Sequence, residues 1–264
     1  MTDSTDRFTG RVENYARYRP TYPRAVLDLL ETECGLTDTS VIADIGSGTG
    51  ILSELFLDNA NRLYAVEPNE EMREAAEGRF GERANFTSVA GAAEATTLDE
   101  ESVDFVVAGQ AFHWFDVERA RAEFGRILRP GGWVVLIWNA RRGGTTPFLG
   151  AYERLLRAYR TDSDGVEVWM RNDALSDSFF SPSPYETATF DNYQLLDLDG
   201  LKGRLLSTSY LPAEGEPSAG DMLREAEEIF HQHESDGEVA VEYDTKVFYG
   251  HPPPVSRPED EGAA

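Results

Sequence analysis

Cys34 is the lone cysteine, so the chain can form neither an internal disulfide nor a cysteine-built zinc site. Lysine is nearly missing too, with Lys202 and Lys246 the only two. Lys+Arg total 24 against 48 Asp+Glu, a formal net charge of −24. A surface this acidic repels phosphate backbones and anionic lipid, which argues against nucleic acid and membrane as partners. No stretch approaches the ~20 apolar residues of a membrane span. Met1 to Arg19 lacks the apolar run of a signal peptide. These absences predict a soluble, cytoplasmic protein. The acid excess sits in no single tail, and with lysine scarce it reads as halophilic adaptation. In a salty cytoplasm self-repulsion is screened within ~3 Å at about 1 M salt.

What is present is a globular composition: 264 residues, 41% hydrophobic and 11% aromatic. That is enough for one sizeable domain or at most two. Residues 1–8 are polar and expected to be loose. Arg11 to Tyr22 is an unusual run of aromatics and arginines, after which Pro23 opens a short helix with Val26, Leu27, Leu29 and Leu30 inside. From residue 41 strand and helix signals alternate, which predicts βαβ units and a parallel sheet.

The expected strands are 41–45, 63–67, 86–89, 103–108 and 133–138. Asn69 and Asp116 are placed to cap the helices that follow them, and Pro130–Gly131–Gly132 to stop the second of these. Residues 139–184 read as an insertion, with a helix near 148–159 and a Ser/Pro-rich segment. A strand over 185–196, a helix through Met222, Ile229, Phe230 and His233, and a final strand over 239–249 complete the pattern. Trp133 and Trp138 read as sheet packing. The residues from His251 onward, with three consecutive prolines, are expected to form a disordered tail. The whole reads as a single domain over 1–250: an N-terminal lid and helix (1–40), a core (41–138), the insertion, and C-terminal strands and helix (185–250).

The strongest chemical signal is Asp44-Ile45-Gly46-Ser47-Gly48-Thr49-Gly50 between a strand and a helix. Glycines there let backbone approach a ligand closely, and the helix offers free N–H groups. A dinucleotide fingerprint needs glycines at positions one, three and six. Here they stand at one, three and five, with Ile51 sixth. Glu67 ends the second strand about 20 residues on, where a carboxylate can accept both hydroxyls of a ribose. Pro68 and Met72 follow, and either can pack on an adenine face. His231 and His233 are two apart on a helix, which points them away from each other, so no metal site is expected there.

VIADIGSGTG (41–50), YAVEPNEEM (64–72) and LRPGGWVVLIW (128–138) together resemble the class I S-adenosylmethionine-dependent methyltransferases. RYRPTYP (17–23), AFHWF (111–115), STSYLP (207–212) and TKVFYGH (245–251) are similar to a subgroup near the ubiquinone-biosynthesis and trans-aconitate enzymes. The resemblance implies an α/β, Rossmann-like fold: a seven-stranded, mostly parallel sheet with helices on both faces and its last strand antiparallel.

It also implies S-adenosyl-L-methionine as cofactor and a small-molecule acceptor, with no metal. Asp44, Gly46, Ser47, Gly48 and Gly50 would hold the methionine part. Glu67 would take the ribose, and Pro68 and Met72 the adenine. The position where the family often reads adenine with an acid falls here on Ala92, a departure that leaves the task to the backbone N–H near Ala93. Gln110, Ala111 and Phe112 would line the methyl-transfer face. Tyr15, Tyr18 and Arg19 resemble a lid over the cofactor.

Tyr15, Tyr18, Phe112 and Trp114 are aromatic candidates for a sulfonium. Tyr18, His113, Trp114 and Arg141 are candidates for touching the acceptor. His113 is a candidate general base for a hydroxyl acceptor, against the simpler role of holding its loop. Arg17, Arg19, Arg141 and Arg142 could clamp an anionic acceptor. Two other readings stay open: a nicotinamide-dependent oxidoreductase, which the fifth-position glycine disfavours, and a non-catalytic module of the same fold, which Ala92 would favour.

Overall fold

The structure, a computed structural model, describes residues 12–161 and 168–253. The expected loose segment 1–8 and the tail beyond residue 253 lie outside the described residues.

Apolar runs flanked by turn residues form the five strands of the parallel part: β1 (Val41–Ile45), β2 (Arg62–Val66), β3 (Phe86–Val89), β4 (Val103–Gly109) and β5 (Leu128–Arg141). Two long alternating strands follow, β6 (Tyr185–Leu196) and β7 (Val239–Gly250). The sheet order is β3-β2-β1-β4-β5-β7-β6, with β7 antiparallel to both of its neighbours. The crossovers are the helices α3 (Ile51–Asp58), α4 (Glu70–Phe80) and α5 (Val117–Ile127). Asn69 caps α4 by accepting from Met72 N–H, and Asp116 caps α5 by accepting from Arg119 N–H.

β5 starts earlier than its apolar run. Leu128 already pairs with Val103, and the register resumes at Phe105 with Trp133, so the Pro130–Gly132 segment loops out within the strand. The two sheet faces carry separate cores. One gathers Phe56, Leu63, Phe105 and Ile137 under α2 (Ala25–Cys34) and α3. The other gathers Phe112, Phe124, Phe179 and Trp138 under α5 and α7 (Val168–Phe180). Trp138 therefore packs in the sheet as expected, and Trp133 lies against Tyr249 and His251. His251 also meets the Gly132 carbonyl at 3.0 Å, so the expected tail begins on ordered ground.

Three helices arise where no helix was expected. α7 includes the polar SDSFF run, held by Phe179 and Phe180, both fully buried. α8 (Leu198–Leu206) is capped by Asp197. α1 (Val12–Tyr18) lies on α8, with the Tyr18 ring so close to Gly203 that a Cβ there would sit 2.2 Å from it. The helix expected near 148–159 is α6 (Pro147–Ala158). With α8, α9 (Pro217–His233) and the far ends of β6 and β7, α6 builds a third apolar cluster around Tyr152, Leu155, Leu201, Met222 and Tyr243. The segment read as an insertion thus carries packing of its own.

Candidate active site

The carboxyl ends of β1, β2 and β4 face one cleft with two lobes that share Tyr15, Gly46, Gly48, Gly109 and Gln110. Open α/β sheets place ligand sites at this end, where the strand order reverses. The reversal here lies between β1 and β4.

The turn after β1 is shaped by its glycines, at φ +67° for Gly46, +56° for Gly48 and +80° for Gly50. A Cβ on Gly46 would stand 2.7 Å from the Ala111 Cβ, and one on Gly50 2.7 Å from Phe80 Cε2. A Cβ on Gly48 would meet nothing within 4 Å. Gly46 and Gly50 therefore serve packing and turn geometry, and Gly48 alone of the three leaves open space in the cleft. Gly50 is absent from the lining, a correction to its expected ligand contact.

Glu67 stands at the end of β2 and is 8% exposed. Its Oε2 accepts the Gly48 N–H at 2.9 Å and its Oε1 the Asn69 N–H at 2.9 Å. Burial raises its pKa. Two amides hold the carboxylate still, and its remaining lone pairs face the larger lobe, a space of about 260 Å³. Pro68, Met72, Ala92, Ala93, Ala111 and Trp114 line the same lobe. Ala92 exchanges both backbone hydrogen bonds with Ala95. The wall does contain a carboxylate, Glu94, two residues past the expected place and accepting the Asp116 N–H through Oε1.

The smaller lobe is lined by Tyr15, Arg19, Asp44, Ser47 and Thr49, with Gln110 and Asn139 beyond. Asp44 is 1% exposed, accepts from Ser53 Oγ at 2.6 Å, and is pushed up to about 7 by burial. Gln110 is held at φ +57°, an uncommon conformation for a residue with a side chain, by its N–H on the Ile137 carbonyl and its amide on the Asn139 carbonyl. Asn139 was not anticipated as part of the site. Its Oδ1 accepts from Thr245 Oγ1 at 2.6 Å and its Nδ2 donates to the Thr21 carbonyl at 3.1 Å, tying the N-terminal segment to the sheet. Tyr22, also missed, packs its hydroxyl where a Cβ on Gly109 would lie 2.6 Å away.

Five expected site residues stand elsewhere. Phe112 is fully buried, edge-on to Phe115, Trp138 and Phe179, because the 3₁₀ turn Phe112–Trp114 points it into the core. Tyr18 lies on α8 at Gly203. Arg141 is tied to Glu153 at 2.9 Å, and Arg142 to Asp191 and Asp244. His113 is outside the cleft lining, packs on Trp114, and is lowered by burial to about 4, so it is neutral near pH 7 and a weak base.

A model of the methyltransferase domain matches residues 43–136. An uncharacterized methyltransferase-like protein of Schizosaccharomyces pombe is 34% identical over 163 residues, 61% of this chain and 62% of that protein. Residues 43–136 thus carry a methyltransferase domain. An uncharacterized methyltransferase of Mycobacterium tuberculosis is 35% identical over 139 residues, 53% of this chain and 54% of that one. The chain thus spans between 54% and 62% of the length of these curated relatives. A solved structure from Anaeromyxobacter dehalogenans, provisionally named a type II methyltransferase, shares the fold at a TM-score of 0.63 and 22% identity, over 89% of this chain and 98% of that one.

S-adenosylmethionine is the cofactor of proteins with this domain, and the residues present here fit it. Asp44 Oδ1, Ser47 Oγ, Thr49 Oγ1 and Arg19 Nε are all buried without a hydrogen-bond partner, and all four residues line the smaller lobe. Buried polar groups left unpaired destabilise a fold, and such a cluster is complementary to a zwitterion. No helix among the described residues is long and apolar enough to cross a membrane.

Proposed function

We propose that this chain transfers the methyl group of S-adenosylmethionine to a small-molecule acceptor by in-line displacement. The observation that carries the reading is the set of buried atoms without a partner in the smaller lobe, Oδ1 of an acid (Asp44) and Nε of a guanidinium (Arg19), beside an open Gly48. Asp44 would take the ammonium of the cofactor's amino acid part and Arg19 its carboxylate. Glu67 would accept the ribose hydroxyls, with Met72, Pro68 and the Ala93 backbone around the adenine and Glu94 within reach of its amino group. Bound there, the cofactor supplies a methyl group already activated by a sulfonium charge, whose C–S bonding pair stays with sulfur on transfer.

What remains for the protein is alignment and exclusion of water, which can supply about 7–11 kcal/mol of the barrier. Gln110, fixed by Asn139, and Tyr15, which lines both lobes, are the residues placed for that task. Tyr15 and Trp114 are the aromatics of the earlier four that border the cleft, and they can attract a sulfonium. Glu94 offsets the departure at Ala92 that favoured a non-catalytic module. The acidity, the small-molecule partner and a cytoplasmic place belong to the same reading. Calorimetric titration with S-adenosylhomocysteine in molar potassium chloride tests it, and a flat titration would refute it. A gain of one methyl mass on a component of a metabolite extract would establish the transfer.

A further inference from the structure

Behind the smaller lobe lies a buried group of arginines and tyrosines that the cofactor reading leaves unused. Arg204, on α8, is 6% exposed. Its Nη1 donates to Thr208 Oγ1 at 3.0 Å, and its Nε has no partner. Arg19 donates from Nη2 to the Ser207 carbonyl at 2.7 Å, so the two guanidiniums lie on either side of the Ser207–Thr208 step. Among the described residues neither has a carboxylate within ion-pair distance, in a chain of net charge −24. Tyr152, Tyr210 and Tyr243 surround Arg204, and the Tyr243 hydroxyl is buried without a hydrogen bond of good geometry. Arg141 lies beside Tyr152 and Tyr210 and is paired with Glu153.

Near neutral pH tyrosines are uncharged: their dipoles solvate a guanidinium but do not neutralise it. Arginine cannot shed its proton, and a buried charge without a counter-charge is strongly unfavourable. The local field reports the imbalance. Burial alone would raise the Tyr210 hydroxyl, yet Arg141, Arg204 and Arg19 together bring it below its ordinary value.

We propose that Arg204, with Tyr210 and Arg141, is the anchoring subsite for the acceptor, and that the acceptor is a small organic monocarboxylate. The proposal rests on the methyltransferase reading, which assigns the charge of Arg19 to the cofactor's own carboxylate. Glu153 answers Arg141, so one positive charge is left over, that of Arg204. A monocarboxylate matches it, and a phosphate dianion overshoots it. Tyr18 of α1 seats on Gly203, one residue before Arg204, and Arg19, which follows α1, donates to the Ser207 carbonyl, so the subsite adjoins the lobe that Arg19 lines.

The test is calorimetry on the full chain, first with S-adenosylhomocysteine and then, on the saturated protein, with hexanoate, hexanamide and hexyl phosphate. Hexanoate should bind at least about tenfold more tightly than the amide, as expected when a buried charge partner is removed. Arg204→Met should abolish that preference and leave S-adenosylhomocysteine affinity unchanged. It should also raise the melting temperature of the ligand-free protein, since removing an uncompensated buried charge is stabilising, whereas a purely structural Arg204 would lower it.

Equal affinity for acid and amide, with S-adenosylhomocysteine still bound, overturns the subsite and spares the methyltransferase reading. Absent S-adenosylhomocysteine binding overturns that reading, and an acid preference that persists and disappears in Arg204→Met upholds the anion site without it. Preference for hexyl phosphate overturns the carboxylate assignment. Should Arg204→Met fail to fold, Arg204→Gln, which removes the charge and keeps a donor for Thr208, serves instead, and a preference unchanged in it overturns the proposal.

Discussion

Glu67 and Gly48 are joined by a 2.9 Å hydrogen bond from the glycine's N–H to Oε2. The acid at the end of β2 thus braces the turn at the end of β1, and the two halves of the proposed cofactor site are one unit.

Glu67→Gln should weaken S-adenosylhomocysteine binding by about 1–3 kcal/mol, since one oxygen becomes a donor where an acceptor is required. Because that amide can no longer accept from both backbone N–H groups, a fall in thermal stability should accompany it. Calorimetry and a melting curve on the same preparation check both, and unchanged affinity would remove Glu67 from the site.

The Asp44 carboxyl, raised to about 7 in the fold, gives a pH signature. An unfolded aspartate titrates near ~3.9, so between about pH 4 and 7 the folded chain holds more protons than the unfolded one. Stability from this group is therefore greatest at low pH and falls as pH rises toward 7. Asp44→Asn should melt higher than the parent at pH 8, with the gap closing toward pH 5, and should lose cofactor binding throughout. The parent's own affinity should drop below pH 7 as the carboxylate protonates.

Two glycines of one loop should respond differently. Gly50→Ala meets Phe80 at 2.7 Å as well as a positive φ, and should lose about 1–3 kcal/mol in denaturant unfolding. Gly48→Ala meets no atom within 4 Å, so its loss should be near the ~1–2 kcal/mol of the left-handed conformation alone. Its methyl group enters the cleft, however, and cofactor binding should suffer more than in Gly50→Ala.

Asn139→Ala strands the buried Thr245 hydroxyl, which donates to Asn139 at 2.6 Å, and should destabilise the chain by about 1–3 kcal/mol. It also removes one of the two amide donors to the Thr21 carbonyl, the other being Asn192 Nδ2 at 2.8 Å, so proteolysis of the N-terminal segment should quicken. Asn139→Asp retains an acceptor for Thr245 but sets a buried carboxylate against the Thr21 carbonyl, and should restore neither stability nor protection.

Much of the core was legible because its signals are local. β1, β3 and β6 fall where alternation or apolar runs place them, and Asn69 and Asp116 cap the helices they precede. α7 was hidden by its Ser and Asp content, which weak helix propensity argues against, and it exists because Phe179 and Phe180 bury completely. α1 and α8 were hidden for a related reason: each is short and steadied by the other across Gly203. Of the residues expected at the site from spacing and resemblance, Asp44, Glu67, Met72 and Ala93 border the cleft, whereas Phe112 went to the core because one 3₁₀ turn sends neighbouring side chains opposite ways.

By itself the sequence determined the strand-turn-helix units, the glycine turn and the acid about 20 residues beyond it, since each depends only on residues a few positions apart. Tertiary structure alone decided which arginines would be neutralised. Arg141 and Arg142 found carboxylates on α6, β6 and β7, while Arg19 and Arg204, 185 positions apart in the numbering, came to flank Ser207 with none. Charge compensation is a matter of distance in space, and only the packing of α1 on α8 sets that distance.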